Sequence, residues 1–356
     1  MFANPTGTWP PKRMPIVPSG GWLHAGRQVT AVCAKGDKDR GAISGMSPET
    51  AGIHHVTAIA GDPQRNAEFY VDTLGLRLVK RTVNHDDPGS YHLYFGDGEG
   101  TPGTNITFFP WTDSGRQGEF GAGQTEFTAY AIPETSVEFW TERLDEAGVA
   151  VDRTERFGET VLRFADPDGI GLELVATDAP TDAVAWADSP VPETHQLRGF
   201  HSVTLAVPEV EPTAERLTEV LGFKHEGTEA DRHRYRSAAG GFASVVDIVE
   251  TDVDYGEMGV GTVHHVAFQA QDREELEAYK EQYRELGVRC SEIRDRKYFL
   301  ALYAREPNGI LFEISTMEPG FTADEPLDEL GESLVLPERL EARREEIEGE
   351  LPAFEA

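Results

Sequence analysis

Asp166-Pro167-Asp168-Gly169-Ile170-Gly171-Leu172-Glu173 is written a second time, with few changes, as Glu306-Pro307-Asn308-Gly309-Ile310-Leu311-Phe312-Glu313. In each copy Pro and Gly punctuate a turn, and an apolar strand then runs to a glutamate. The repetition extends outward. Ile53-His54-His55-Val56-Thr57 and Val263-His264-His265-Val266-Ala267 each set a double histidine in a short apolar run with strand character. Helical patterns follow each opening strand. One lies within Asn66 to Arg81 and ends near Leu74-Gly75-Leu76; another, Pro212 to Lys224, ends in Leu221-Gly222-Phe223. Ser136 to Val149 ends in Ala147-Gly148-Val149, and Arg273 to Val288 in Leu286-Gly287-Val288. The glycine stands where a helix C-terminus takes a left-handed residue. The pattern predicts four units of strand, helix and about three strands, at about 51–113, 124–177, 198–250 and 261–317. The first resembles the third and the second the fourth, as in a duplicated pair.

The chain has 356 residues, enough for two domains and a large core. Residues 51–178 would hold modules 1 and 2, and residues 198–317 modules 3 and 4, with Ala179 to Pro192 as the link. Residues 318–356 form a charged tail with a helix over Pro337 to Leu351, Leu340 and Ile347 on one side. Residues 1–50 are rich in Pro, Gly and basic residues and lack periodicity; they read as a disordered extension, with the folded protein starting near Met46. A stable, active protein beginning at Met46 is the expected result, and loss of folding there refutes it.

Acidic residues number 63 against 32 basic ones, a formal net charge of −31 spread along the chain. That field disfavours nucleic acid and anionic membranes as partners. It also repels itself at low salt, so the surface suits a halophile. Unfolding on removal of salt checks this expectation; indifference to salt removes it. Only two cysteines occur, Cys33 and Cys290, so neither a disulfide framework nor a CxxC metal motif is present. No apolar run has the length of a membrane span, and no secretory signal is visible, which makes the cytoplasm the default expectation.

Four βαβββ units with HHV openings and a PxGxxxE strand resemble the vicinal oxygen chelate superfamily. Within it the chain is similar to ring-cleaving dioxygenases of the hydroquinone type. The segments that carry the resemblance are HHVTAIAGDPQRNAEFYVDTLGLRLVKRT, YHLYFGDGEGTPGT, GTVHHVAF and REPNGILFEIS, and it covers about residues 51–320. It implies an α+β fold, the four βαβββ modules forming two domains of curved mixed sheets. It also implies metal ligands on the first and last strands of a module. Aligned in that way, the first-strand position holds His55, Glu126, Ser202 and His265, and the last-strand position Phe109, Glu173, Asp247 and Glu313. Only the first and fourth modules offer histidine in register; His201 is one residue out, which turns a strand side chain to the other face.

The expected ligand set is therefore His55, His265 and Glu313, with Phe109 in the remaining place. Two neutral imidazoles and one carboxylate form the triad of non-haem iron(II) oxygenases, which leaves positions open for a phenolate and dioxygen; Mn(II) fits the same ligands. A lone buried histidine is ordinarily a hydrogen-bonded core residue. Two in repeat register, with an aligned glutamate in the apolar strand Ile310 to Ile314, outweigh that reading, because an unpaired carboxylate there is costly. Glu173 has no registered histidine and reads as a paired structural carboxylate. By resemblance, His54, Thr57, His264, Arg296 and Tyr303 lie near substrate and oxygen; Arg296 offers a fork of donors and Tyr303 a proton or hydrogen bond. His85, His92, His225 and His233 read as surface or local hydrogen-bonding residues.

The leading expectation is an Fe(II)-dependent extradiol-type dioxygenase whose partners are a small aromatic substrate and O2; homo-oligomerisation is left open. A glyoxalase-like metal-dependent isomerase is the alternative, and it needs a fuller ligand set than Phe109 allows. A non-catalytic binding protein of the same superfamily ranks third.

Overall fold

The structure, a computed structural model, describes residues 48–112 and 115–354. The expected N-terminal extension, including Met46, lies outside these residues except for its last three positions.

All four modules have the expected order. The first comprises β1 (Ile53–Ala60), α1 (Pro63–Ala67) running into a π-helical turn (Glu68–Thr73), β2 (Arg77–Val83), β3 (Tyr91–Gly96) and β4 (Asn105–Pro110). The second comprises β5 (Gln124–Ile132), α2 (Val137–Glu146), β6 (Asp152–Arg156), β7 (Glu159–Ala165) and β8 (Gly171–Ala176). The third comprises β9 (Phe200–Val207), α3 (Val210–Glu215) with its own π-helical turn (Arg216–Val220), β10 (Phe223–Glu229), β11 (Arg232–Ser237) and β12 (Val245–Glu250). The fourth comprises β13 (Thr262–Ala270), α4 (Arg273–Glu285), β14 (Arg294–Asp295), β15 (Leu300–Arg305) and β16 (Leu311–Thr316). The tail adds short 3-10 turns and α5 (Arg344–Glu350). No helix among the described residues is long and apolar enough to cross a membrane.

Local chemistry accounts for these boundaries. Asp62 caps α1 by accepting from the Arg65 N–H (2.8 Å), and Asp272 caps α4 through the Glu275 N–H (3.0 Å). Gly75 (φ 74°) and Gly287 (φ 67°) take the left-handed conformation that ends a helix. The acid that opens each repeated motif organises its turn. Asp166 accepts from the N–H groups of Asp168 (2.9 Å) and Ile170 (2.8 Å); Glu306 accepts from those of Asn308 (3.1 Å) and Ile310 (2.8 Å).

The strands form two mixed eight-stranded sheets. One has the order β14-β15-β16-β13-β1-β4-β3-β2 and the other β10-β11-β12-β9-β5-β8-β7-β6. The sheets thus group the modules differently from the chain halves 51–178 and 198–317. Module 1 shares a sheet with module 4 and module 2 with module 3, because β1 pairs antiparallel with β13 and β5 with β9. Alternation then gives the first sheet two unlike faces. Val56, Ala58, Phe95, Ile106, Phe108, Phe268, Phe312 and Ile314 point into the apolar core. His55, Thr57, Thr107, His265, Glu313 and Ser315 are also buried but belong to no apolar cluster.

The tail covers the β2 edge of this sheet. Val335 N–H donates to Arg81 O (2.9 Å). The buried Lys80 on β2 is held by Asp324 (2.7 Å), Glu325 and the Phe321 carbonyl (3.2 Å). Covering an edge in this way removes unpaired backbone groups that would otherwise recruit another strand.

Candidate metal centre

The three sequence-predicted ligands meet at the middle of the first sheet. His265 pairs with Thr57 across β13 and β1, and Glu313 pairs with Ala267 across β13 and β16. His55 Nε2 stands 3.3 Å from His265 Nε2 and 3.7 Å from Glu313 Oε2, and His265 Nε2 stands 2.8 Å from the same oxygen. The three residues are buried, 3, 5 and 1 % exposed.

Proton positions follow from the neighbours. The Thr316 carbonyl can only accept, so the His54 Nε2 that approaches it at 3.1 Å carries the proton. Burial lowers the His54 pKa to about 4, against the attraction of Glu313, so the ring is neutral and its Nδ1 is an acceptor. His55 Nδ1, 2.9 Å away, must therefore be the donor, which leaves the lone pair of His55 on Nε2. His264 Nδ1 is placed likewise against His265 Nδ1 at 2.7 Å. Burial would raise Glu313, but the imidazoles of His265 and His55 and the Ser315 hydroxyl (2.7 Å) hold its carboxyl well below the usual range. Its other oxygen, Oε2, is buried and has no hydrogen bond among the described residues. The 2.8 Å approach of His265 Nε2 to that oxygen is an ion-pair distance without the direction of a ring N–H hydrogen bond. The His55 lone pair, the His265 Nε2 and a carboxylate oxygen converge at a buried point, which suits a cation. All three ligand atoms lie within 4.8 Å of one another, so the donor set fits a metal ion.

Next to this point opens a cavity of about 240 Å³. Phe109, Trp111 and Phe299 supply an aromatic lining; His92, Arg296 and Tyr303 supply polar groups. A void of about 150 Å³ already holds benzene, so the cavity takes one substituted ring. Tyr303 lies opposite Glu313 on β15, and its hydroxyl accepts from Arg296 Nε at 3.0 Å. Burial and the Glu313 charge push the Tyr303 phenol well above its usual range, so it stays protonated.

The remaining expectations divide. His264 faces the cavity; His54 does not, since both its nitrogens are taken by His55 and Thr316. Its place is behind the ligand. A bulge between Ile53 and His55 breaks strict alternation here, which lets neighbouring histidines contact each other. Thr57 is buried beneath the site, its hydroxyl 2.8 Å from that of Thr107. That contact also corrects the alignment of the fourth position. Thr57 pairs with Thr107 as Ala267 pairs with Glu313, so Thr107, not Phe109, is the counterpart of Glu313. A slip of two residues keeps the face, so alternation could not expose it. Phe109 lies further along the same face, in the cavity wall.

Sequence reasoning also missed His92, His85, Asp86, Trp111 and Phe299, which all line the cavity. His92 Nε2 contacts the Thr107 hydroxyl and its Nδ1 the Tyr94 hydroxyl, both at 2.9 Å, and burial holds the ring well below its usual pKa and neutral. Alternation in Tyr91-His92-Leu93-Tyr94-Phe95 carried this signal, because Leu93 and Phe95 are core residues and His92 and Tyr94 must point the other way.

The site sits on a known scaffold. The family model of the Glyoxalase/Bleomycin resistance protein/Dioxygenase superfamily matches residues 52–174 and 184–314, and the chain belongs to that superfamily. Among its relatives is the Bacillus subtilis protein named "Putative ring-cleaving dioxygenase MhqO", 45% identical over 310 residues, covering 87% of this chain and 98% of that one. The "Chlorohydroquinone/hydroquinone 1,2-dioxygenase" of Sphingobium indicum is 36% identical over 303 residues, covering 83% and 94%. A crystal structure described as that of a "putative dioxygenase" from Bacillus subtilis superposes with a TM-score of 0.84 at 45% identity, covering 87% of this chain and 99% of its own.

Proposed function

We propose that this chain is an iron(II)-dependent dioxygenase that opens the ring of hydroquinones or related diphenols beside a hydroxyl-bearing carbon, putting both atoms of O2 into the product. The observation that carries the reading is the bare Glu313 Oε2 facing His55 and His265 at the edge of a ring-sized cavity. The names of two relatives, a ring-cleaving dioxygenase and a hydroquinone 1,2-dioxygenase, support the substrate class.

His55, His265 and Glu313 would hold the ion, and Mn(II) suits the same set. Bound there, it would supply a Lewis acid that favours the phenolate over the phenol. The protein's part is then positioning. Phe109, Trp111 and Phe299 hold the ring and exclude water. Protonated Tyr303 donates a hydrogen bond on the Glu313 side, and Arg296 holds Tyr303 in place. His54 fixes the tautomer of His55 through the Thr316 carbonyl. Thr57, with Thr107 and His92, forms a hydrogen-bonded floor. An isomerase of the glyoxalase kind would call for a carboxylate where Thr107 offers a hydroxyl.

The test is anaerobic purification, loading with Fe(II), and oxygen uptake with hydroquinone. One O2 consumed per ring opened is expected. Methylglyoxal–thiol turnover without oxygen uptake would replace this reading with the isomerase, and tight metal-free binding of aromatics with the non-catalytic one.

A further inference from the structure

We propose that Asp86 is a specificity-determining residue that keeps ring compounds bearing a carboxylate out of the cavity, so that the enzyme takes uncharged single-ring diphenols. The inference rests on the ring-cleaving reading and narrows its substrate class.

The argument is a charge inventory of the cavity. Its lining includes three groups of fixed charge, Glu313, Asp86 and Arg296. His85, in the same turn as Asp86, adds no positive charge, since burial lowers it to about 4. Glu313 belongs to the metal site. Arg296 is therefore the cation of the lining to which an arriving carboxylate would turn.

That cation is already engaged on both sides. On the inner side its Nε donates to the Tyr303 hydroxyl (3.0 Å). On the outer side Nη1 and Nη2 both donate to one oxygen of Asp86, at 3.4 and 3.3 Å. Arg294 Nη1 is the other cation near that oxygen, at 3.7 Å. Asp86 is 66 % exposed and Arg296 19 %, so the acid stands outside the guanidinium, between it and solvent.

Asp86 is also held there. It lies in the turn between β2 and β3, where its own N–H donates to the Asn84 side chain (2.9 Å), and the tail's Arg339 donates to the neighbouring His85 carbonyl (2.7 Å). A carboxylated ring must displace Asp86 from Arg296 or lie beside it as a like charge, in a protein that already carries −31. A neutral phenol meets neither cost.

The experiment compares two probes on the iron-loaded full chain, hydroquinone and 2,5-dihydroxybenzoate. Their dissociation constants are measured anaerobically by calorimetry, and their kcat/KM values by oxygen uptake. The wild type should prefer hydroquinone in both. Asp86→Asn should shift the ratio toward the carboxylated ring by about tenfold, and the shift should shrink in high salt. Asp86→Glu, which keeps the charge, should retain the wild-type preference. An Asp86→Asn protein that binds hydroquinone with an unchanged ratio overturns the proposal alone. A wild type that takes neither ring overturns the ring-cleaving reading and this one with it.

Discussion

The two sheets are built from the same modules and differ at the point where first and last strands meet. In the first sheet that point holds two imidazoles and a carboxylate with an oxygen left bare. In the second it holds carboxylates already matched by arginines. Glu173 accepts from Arg156 Nη1 (2.9 Å) and Nη2 (2.7 Å) and from Arg163 Nε (3.3 Å). Asp247 accepts from Arg234 Nε (2.9 Å) and Nη2 (3.1 Å) and from Arg232 Nη1 (3.2 Å). His201, the histidine out of register, is tied to Glu159 at 3.1 Å and Ser202 at 3.0 Å. One scaffold thus meets the cost of buried carboxylates in two ways, with guanidinium groups from neighbouring strands or with room for a metal. The lesson is that a buried acid in register is a candidate metal ligand only where no arginine or lysine of the chain reaches it.

Substitutions can break this contrast. Glu313→Ala should abolish metal loading, seen by elemental analysis, with the circular dichroism of the fold retained; retained metal would remove Glu313 from the ligand set. Arg156→Ala removes the two short bonds to Glu173, leaving only the longer one from Arg163, and should cost up to about 3–5 kcal/mol of stability in denaturant titration, with metal content per folded chain unchanged. Metal lost from the folded fraction of that variant would mean the second sheet holds a metal too. His54→Ala frees the tautomer of His55 and should weaken metal affinity by about 10–100-fold, measured by competition with a chelator; unchanged affinity would reduce His54 to packing. His201→Gln should leave metal content where it was, and any loss would mean the ligands were assigned to the wrong modules.

Much of this contrast was legible beforehand. The double histidines and the repeated acid-Pro-x-Gly turn encode modules locally, so the four units follow from register, and the candidate triad His55, His265 and Glu313 from register together with the ligand positions that the family resemblance implies. Which modules share a sheet did not, because alternation says which face a residue takes and nothing about the neighbouring strand. The signal that joins the first and fourth modules is the recurrence of the double histidine in them alone. The same limit explains the Phe109 error, since Thr107 two residues earlier presents the same face. The arginines that silence the second sheet come from β6, β7 and β11, and the Asp86–Arg296 pair spans the sheet from one module to another. Such contacts carry no local signature.

The claim that one sheet of the two is a metal-dependent oxygenase site is tested most directly by metal counting and oxygen uptake on one anaerobically prepared sample. The expected result is one iron per chain and hydroquinone-dependent uptake of one O2 per ring, both lost in Glu313→Ala. Iron that survives that substitution, or hydroquinone left intact by the iron-loaded wild type, would contradict it.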